Sequence, residues 1–319
     1  VMAKQRQAGF VGSIMGCVFG DVLGAAVEMQ PRTEILQQYP TLVRDFLPSE
    51  RGLGFGCYTD DTEMTLALAR SILRCGDVDG AACAAAYAEA FTPQRGYGRS
   101  AILVLSALQQ GADWRQTGTL LFADGSFGNG AAMRIAPIGL LYGQLDDSLL
   151  YAKVRNAVWM THTHKEALDA AFLQARAIGL LLEMKTAPAP DALIAGLLRS
   201  APDSVLCDAL QQVQLFLKQG ASADAVAEGF GCGVRSADSW PPALWAALRY
   251  IDNPEEAIIQ AVNLGGDTDT IAAMTGALVG ALHGDCWFPQ RWFEQLENGS
   301  NGRDELIRIA AQLAAVSVR

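Results

Sequence analysis

Basic residues are scarce in this sequence. Lysine and arginine together number 24 against 34 aspartates and glutamates, which gives a formal net charge of −10. A protein that binds nucleic acid or an anionic membrane over a broad surface needs a basic face. We therefore expect neither nucleic acid nor a membrane among its partners. An anionic ligand would need local help from cations, backbone amides or a metal ion.

Cysteines and histidines are few and irregularly spaced. The seven cysteines are an odd number and contain no C-x-x-C pair, which argues against a disulfide framework and against a zinc cluster. His162 and His164 are two of only three histidines, and their i, i+2 spacing also disfavours zinc. This usage favours a reducing compartment, and we expect a cytoplasmic protein.

The sequence lacks an uninterrupted hydrophobic run of membrane-spanning length. The apolar stretch from Ala8 to Val27 follows Lys4 and Arg6 and so imitates a signal peptide, but Asp21 interrupts it. This pattern favours a buried core helix that packs closely against its neighbours. The glycines that recur in it at helical spacing are Gly9, Gly12, Gly16, Gly20 and Gly24.

Alternating Val, Ile and Thr residues, the pattern of a β-strand, are nearly absent. Half of the residues are hydrophobic and only 18% are charged, which suffices for a continuous core. We predict an all-α protein that forms a single compact domain over residues 1–319. Apolar periodicity and capping residues predict helices at Thr62–Arg74, Asp79–Phe91, Arg99–Gln110, Lys165–Lys185, Pro190–Arg199, Ser204–Gln219, Pro242–Ile251, Pro254–Ala261, Thr268–His283 and Glu305–Val316.

Two of these helices, far apart in the chain, begin with clusters of acid and hydroxyl side chains. A single Asp or Thr is enough to cap a helix, so capping accounts for either cluster alone. The surplus oxygens of both clusters are typical of ligands for Mg²⁺ or a similar hard cation. If both supply ligands, the two helix starts must contact each other. The clusters are Thr59, Asp60 and Asp61 in "YTDD", and Asp267, Asp269 and Thr270 in "LGGDTDT".

Other polar residues could complete such a site. Asp21 and Glu28 are seven positions apart and share one side of a helix if the helix lasts that long, although Pro31 favours an end nearby. Glu28 alone is more typical of an exposed acid than of a site residue, and only the neighbouring motifs favour a role in the site. The loop "DGSFGNGAAMR", residues 124–134, could form an anion-binding concavity of backbone amides, or could be a flexible connector. One of the two neighbouring histidines could donate to a phosphate or a ribose.

Together these motifs resemble the ADP-ribosylglycohydrolase family, which includes the dinitrogenase reductase-activating glycohydrolase. The resemblance extends from residue 9 to about residue 284. It implies an all-α fold of orthogonal helices around two Mg²⁺ ions that hydrolyses the bond between ADP-ribose and its acceptor. The motifs, in chain order, are "GDVLGAAVE", "YTDDTEM", "RGYG", "GSFGNGAAMR", "THTH" and "NLGGDTDTIAAMTGALVGALHG".

The resemblance also implies roles for individual residues. Glu28 corresponds to a mobile catalytic or metal-contacting glutamate, and Asp267 is the second candidate catalytic acid. Phe127 corresponds to an aromatic residue that stacks on adenine, and His162 to a histidine that contacts phosphate. The implied metal ligands are Thr59, Asp60, Asp61, Asp267, Asp269 and Thr270. The remaining implied substrate-binding residues are Gly125, Ser126, Gly128 and Asn129, with Tyr97 of "RGYG".

The acceptor is less sharply indicated. "RGYG", followed by Arg99 and Ser100, is similar to the branch that cleaves serine-linked ADP-ribose, poly(ADP-ribose) or O-acetyl-ADP-ribose, and we favour this O-linked chemistry. "VEMQPRTEI" is as similar to bacterial enzymes that cleave arginine-linked ADP-ribose. A catalytically silent ADP-ribose binder and a Mg²⁺-dependent phosphohydrolase of nucleotide diphosphates are also compatible with these residues. Glu28 could act as general base or general acid, and we expect a monomer.

Overall fold

The computed structural model describes residues 2–49, 53–201 and 204–317. Within these ranges the chain forms eighteen α-helices and one short 3-10 helix, and contains no β-strand, which confirms the predicted all-α class. The α-helices are α1 Met2–Ala25, α2 Arg32–Gln38, α3 Asp60–Cys75, α4 Gly80–Ala90, α5 Arg99–Gln109, α6 Trp114–Thr117, α7 Gly130–Met133, α8 Ala136–Tyr142, α9 Asp147–Val158, α10 Lys165–Glu183, α11 Pro190–Ser200, α12 Val205–Gln219, α13 Ala223–Phe230, α14 Ser236–Arg249, α15 Pro254–Val262, α16 Thr268–His283, α17 Gln290–Gln295 and α18 Arg303–Ala314.

Helices α1 and α16 lie against each other at backbone contact. A Cβ atom on Gly16 would lie 2.1 Å from the carbonyl oxygen of Gly276, and one on Gly276 would lie 1.9 Å from that of Gly16. No side chain fits at either position, so the close packing expected of the glycine-spaced N-terminal helix is confirmed. Near the end of α1, a Cβ on Gly24 would lie 2.5 Å from the Cα of Asp269. The helix therefore presses directly on the start of α16.

The N-terminal helix belongs to the core. Within the described ranges, Ala3–Ala25 is the one helix long and apolar enough to cross a membrane, and 94% of its most apolar window is buried inside the protein. A hydrophobic cluster reaches from Phe10 on α1 to Leu313 on α18, and includes the buried rings of Trp240, Trp245 and Trp292. Helix α18 packs on both α1 and α3, so the C-terminal part of the chain supports the same helices that carry the acidic motifs.

One helix starts well before its predicted position, whereas the other predicted helices have bounds within about two residues of the prediction. The sequence predicts a helix that starts at Pro242, whereas α14 starts at Ser236 and contains Pro241 and Pro242. Prolines usually interrupt helices because they lack the N–H donor. Here tertiary contacts hold the first turn: the Ser236 hydroxyl donates to the carbonyl oxygen of Gly128 at 2.9 Å, and the fully buried Trp240 donates from Nε1 to Gln174 at 3.0 Å.

Candidate active site

The starts of α3 and α16 meet, as the surplus of acids at both positions predicts. The Thr270 hydroxyl donates to Asp61 Oδ2 at 3.3 Å, across 209 positions of sequence. The Thr59 hydroxyl donates to the same oxygen at 3.3 Å. Asp267 and Asp269 are 4% and 3% exposed and Asp61 is 2% exposed, so these three acids are almost entirely withdrawn from solvent, whereas Asp60 is half-buried. The structure therefore gathers both clusters into one acidic centre.

Asp21 fixes the start of α3. Its fully buried carboxylate accepts hydrogen bonds from the backbone N–H groups of Thr59 and Thr62, at 3.0 Å and 3.1 Å, and from the Thr62 hydroxyl at 2.5 Å. The sequence suggested Asp21 as a further acid of the centre. In the structure it lies beneath the cavity and caps the helix that carries Asp60 and Asp61.

Main-chain contacts fix the start of α16. Gly265 and Gly266 have φ angles of +81° and +75°, a conformation that side chains rarely adopt. The Gly266 carbonyl accepts from the N–H of Met29 at 2.6 Å, and its N–H donates to the Gln30 carbonyl at 2.9 Å. The N–H of Asp267 donates to the Cys232 carbonyl at 2.8 Å. These bonds attach the segment that follows α1 to the turn before α16.

Glu28 lies in that attached segment. Helix α1 ends at Ala25, so Glu28 is beyond the helix and does not share a helical face with Asp21. Its carboxylate nevertheless reaches the centre: Glu28, Asp267 and Asp269 each offer an oxygen, and these oxygens lie within 4.8 Å of one another. Such a spacing of carboxylate oxygens can hold a metal ion.

The electrostatics of the centre favour a cation. Burial, followed by the carboxylates of Asp21 and Asp267, raises the pKa of Asp60 to about 8. Burial and the neighbouring acids also raise the pKa values of Asp61 and Asp269 well above the usual range of a carboxyl group. Asp61 Oδ1 is buried and accepts no hydrogen bond from the described residues. An uncompensated set of buried acids is costly without a positive partner, and a divalent cation would supply one.

A cavity of about 330 Å³ opens over the acids. The acids and Glu28 line it together with the glycine loop, where the Ser126 hydroxyl accepts from the N–H of Gly128 at 3.1 Å. The side-chain amide of Asn129 donates to Asp267 Oδ2 at 2.6 Å, so it orients that carboxylate. The implied site residues that line the cavity are Glu28, Asp60, Asp61, Ser126, Phe127, Gly128, Asn129, His162, Asp267, Asp269 and Thr270.

His162 lies in the cavity wall as a neutral imidazole. Burial, and secondarily the charge of Arg134, lowers the pKa of His162 to about 3. Its Nδ1 is 2.8 Å from the Thr161 hydroxyl, which in turn accepts from Arg134 at 2.6 Å. Arg134 is 1% exposed and lines the cavity, and its Nε has no hydrogen-bond partner among the described residues. The sequence motif contains this arginine, but no local pattern predicted its place in the wall.

Three implied site residues lie behind the lining. Thr59 caps α3. The Tyr97 hydroxyl donates to Glu63 at 2.6 Å, and the glycines on either side of Tyr97 line the cavity. Gly125 turns the loop at φ +83°, where a Cβ atom would lie 2.1 Å from the hydroxyl of Thr163. These three residues lie behind the side chains that line the cavity, and they fix the backbone that carries those side chains.

Exposed apolar side chains form the rim. Phe127 is 49% exposed. The backbone around it is fixed because the carbonyl oxygen of Phe127 accepts from the N–H of Ser236 at 3.0 Å. Phe122 and Val234 also line the cavity and are 48% and 53% exposed. Neither was predicted, since a lone exposed apolar residue in a loop carries no sequence signal. The rim offers ring and aliphatic surface to a flat ligand.

Comparison with known proteins decides the family. The model of the family described as ADP-ribosylglycohydrolase matches residues 2–319. The chain belongs to the ADP-ribosylglycohydrolase family. The enzyme is therefore a hydrolase that acts on the glycosidic bond of ADP-ribose, and it takes ADP-ribosylated substrates. Catalysis in the family depends on metal, and the acidic centre is the group of residues that could hold it.

Relatives cover nearly the whole chain. ADP-ribosylhydrolase ARH3 of Danio rerio is 31% identical over 341 residues, which cover 97% of this chain and 90% of that protein. ADP-ribosylhydrolase ARH3 of Homo sapiens is 29% identical over 333 residues, covering 92% and 91%. A solved structure titled "ADP-ribosylglycohydrolase-related protein complex" is 29% identical, covers 99% of this chain and 100% of its own, and superposes with a TM-score of 0.71.

Proposed function

We propose that this enzyme releases ADP-ribose from O-linked acceptors with the help of two Mg²⁺ ions. The substrate class comprises serine-linked ADP-ribose, poly(ADP-ribose) and O-acetyl-ADP-ribose. The observation that carries the proposal is the convergence of two distant acid-and-hydroxyl clusters on one cavity, opposite a glycine loop and an aromatic rim. The cysteine usage further supports a cytoplasmic enzyme, and we expect it to be a monomer.

The acidic centre fits the proposed ions. Asp61 and Asp269 are buried carboxylates with raised pKa values, and one oxygen of Asp61 has no hydrogen-bond partner among the described residues. Both features are expected of metal-binding oxygens considered without their cation. When bound, Mg²⁺ would polarise ribose hydroxyls and water as a Lewis acid. The residues that would hold the ions are Thr59, Asp60, Asp61, Asp267, Asp269 and Thr270, with Glu28 beside them.

Glu28 is the proposed proton-transfer group. Its carboxylate lies next to those of Asp267 and Asp269, so it would be close to a ribose whose hydroxyls face these acids. It can take a proton from the attacking water, or give one to the departing oxygen. Asn129 holds Asp267 in a fixed orientation through its 2.6 Å hydrogen bond, which keeps the second catalytic acid directed at the same ribose.

The glycine loop and rim would hold the rest of the substrate. The backbone around Ser126 and Gly128 can face a diphosphate, and neutral His162 can donate one hydrogen bond to it or to a ribose. Phe127 presents half of its ring to solvent at the rim, which suits stacking on adenine. The ADP-ribose unit would then extend from the rim to the acids.

Arg99 supports O-linked over arginine-linked acceptors. This exposed residue begins α5 and lines the same cavity as Glu28, and its guanidinium makes no hydrogen bond or ion pair with the described residues. An acceptor guanidinium placed beside Arg99 would meet a like charge, which disfavours that substrate. Neutral serine, or the anionic next unit of poly(ADP-ribose), meets no such repulsion.

Parallel assays of two linkages test the proposal. Purified enzyme is offered serine-linked and arginine-linked ADP-ribosylated peptides, with Mg²⁺ and with chelator, and the products are separated. We expect free ADP-ribose from the serine-linked peptide in Mg²⁺ only. Preferential cleavage of the arginine-linked peptide would overturn the linkage. Release of AMP would indicate a phosphohydrolase, and binding without any product would indicate a silent ADP-ribose binder.

A further inference from the structure

We propose that Glu297, in the C-terminal part of the chain, is a positioning residue of this active site. It follows α17 and lies outside every motif of the sequence. Its carboxylate joins the segment that leads into the acids of α3 to the loop that forms one wall of the cavity. The inference rests on the proposed function, because it assigns the wall a role in holding ADP-ribose.

The carboxylate of Glu297 binds two separate segments. Arg95 donates to it twice, from Nη1 to Oε1 at 2.5 Å and from Nη2 to Oε2 at 3.0 Å. The backbone N–H of Tyr58 donates to the same Oε1 at 3.0 Å. Two parallel bonds between a guanidinium and a carboxylate fix orientation as well as distance. Tyr58 directly precedes Thr59, so the bond reaches the backbone that enters the acidic centre.

Arg95 connects this carboxylate to the wall of the cavity. Its guanidinium also donates to the Tyr58 carbonyl at 2.7 Å and lies over the Tyr58 ring, 3.9 Å from the centroid. The next residue, Gly96, lines the cavity, and a Cβ atom there would lie 4.0 Å from Asp60 Oδ1. The loop held by Arg95 therefore runs directly above one of the proposed metal ligands.

The same loop has independent attachments that would survive the loss of Glu297. Glu63 Oε2 accepts from the N–H of Thr92 at 3.0 Å and from the Tyr97 hydroxyl at 2.6 Å. The segment of Glu297 also has a main-chain contact, since its N–H donates to the Gly56 carbonyl at 2.9 Å. Arg95 itself keeps a weaker ion pair with Glu63, 3.7 Å from Nε to Oε1. We therefore expect a variant of Glu297 to fold, with the middle of the loop loosened and its ends unchanged.

Glu305 provides a matched control. Its side chain is 18% exposed against 22% for Glu297, and it also pairs with arginine, at 2.9 Å from Arg70 and 2.7 Å from Arg308. Neither of these arginines lines the cavity. Glu305→Gln thus removes an equivalent ion pair from the same part of the molecule without touching the wall.

The test compares Glu297→Gln with Glu305→Gln in the full chain. We expect Glu297→Gln to lower kcat/KM about 10-fold, because a small displacement of the residues that position the substrate lowers the rate substantially. We also expect it to weaken ADP-ribose binding several-fold in titration calorimetry. Glu305→Gln should match the wild type in both. The melting temperatures of the two variants should agree within about 3 °C. Equal ADP-ribose affinity in Glu297→Gln, Glu305→Gln and wild type would overturn the proposal.

A double-variant cycle tests whether Glu297 acts through Arg95. Arg95→Gln combined with Glu297→Gln should lose clearly less than the sum of the two single variants, because both break the same ion pair. Additive losses would contradict that role. The calorimetric readout keeps this inference separate from the proposed function: absence of turnover by the wild type on any linkage would remove the proposed function, whereas the ADP-ribose affinities would still report on Glu297.

Discussion

The two halves of the acidic centre are held by different means. At the start of α3, side chains carry the geometry: the Asp21 carboxylate accepts from Thr59 and Thr62, and the Glu297 carboxylate accepts from the N–H of Tyr58. At the start of α16, backbone groups carry it, through the turn at Gly266 and the Cys232 carbonyl. The start of α3 therefore depends on particular side chains, whereas the start of α16 depends on a glycine, which has no side chain.

Helix α1 supports both halves. It contributes the carboxylate of Asp21 to the α3 side, and the bare backbone of Gly24 to the α16 side. A single helix can thus set the distance between Asp61 and Asp269, because both helix starts are held against it. The two starts should respond to different classes of substitution.

The largest effect is expected from removing a ligand itself. Asp269→Ala should lower turnover by about 10³-fold or more, since the metal contribution to catalysis is several kcal/mol. Its pKa is raised by burial and by Asp267, so the metal-free variant should be at least as stable as the wild type. Turnover assays and thermal unfolding in chelator check both statements. Wild-type-like hydrolysis in Mg²⁺ would remove Asp269 from the ligand set.

The next largest effect is expected from disturbing the start of α16, which backbone hydrogen bonds hold in place. In Gly266→Ala the new Cβ would lie 2.0 Å from the Cys232 carbonyl oxygen, at a φ of +75°. Asp267 must then move, and we expect a loss of about 10²-fold in kcat/KM together with lower stability. Cys232→Ala is the control, because it retains the carbonyl that accepts from Asp267; it should remain near wild type. Equal activity of both variants would refute the backbone account.

A smaller effect is expected from replacing Asp21, whose side chain holds the start of α3. Asp21→Asn keeps the shape but replaces one acceptor oxygen by a donor that faces N–H groups, so α3 should lose part of its anchorage. Groups that orient metal ligands typically contribute 10–100-fold, and we expect a fall of about that size in activity and Mg²⁺ affinity. Thr62→Ser retains the hydroxyl and serves as control. An unchanged Mg²⁺ affinity in Asp21→Asn would show that the helix start does not depend on it.

The smallest effect concerns pH. Burial raises the pKa of Asp21 to about 6, and burial with neighbouring acids raises that of Asp60 to about 8, from a usual 3.8. The folded protein then retains protons that the unfolded chain releases. His162, whose pKa is lowered from 6.5 to about 3, has the opposite effect below pH 6.5, so the metal-free protein should lose stability as the pH rises from about 6.5 to about 8, where Asp60 still holds its proton in the folded state. The expected fall in melting temperature is a few degrees, and Mg²⁺ should reduce it. A metal-free melting temperature that rises over this window would contradict the account.

Local patterns made most of the longer helices and the two acidic clusters predictable, whereas Asp147–Val158 and several shorter helices were missed. Caps, apolar periodicity and the glycine spacing of α1 depend on neighbours in sequence, and the predicted helices appear within a few residues of their expected bounds, α14 excepted. The meeting of the clusters was predictable because each holds more oxygens than a cap needs. The resemblance to the family supplied the individual roles, which composition alone could not.

Long-range partnerships were not predictable. The ion pair between Arg95 and Glu297 spans 202 positions, and nothing near either residue indicates the other. Asp21 was recognised as an acid near the centre, but its role beneath Thr59 depends on how α1 packs on α3. The exposed Phe122 and Val234 reach the cavity only through the folding of two loops. Such features follow from tertiary packing and carry no local signature.

Direct titration of Mg²⁺ into chelator-treated protein tests the central claim, that the two helix starts share the metal centre. Wild type, Asp61→Asn and Asp269→Asn are compared by calorimetry under identical conditions. We predict two ions per chain in the wild type, and a loss of high-affinity binding in both variants, although the substituted residues lie on different helices. Unchanged binding in either variant would show that its helix start takes no part in holding the ions, and would contradict the claim.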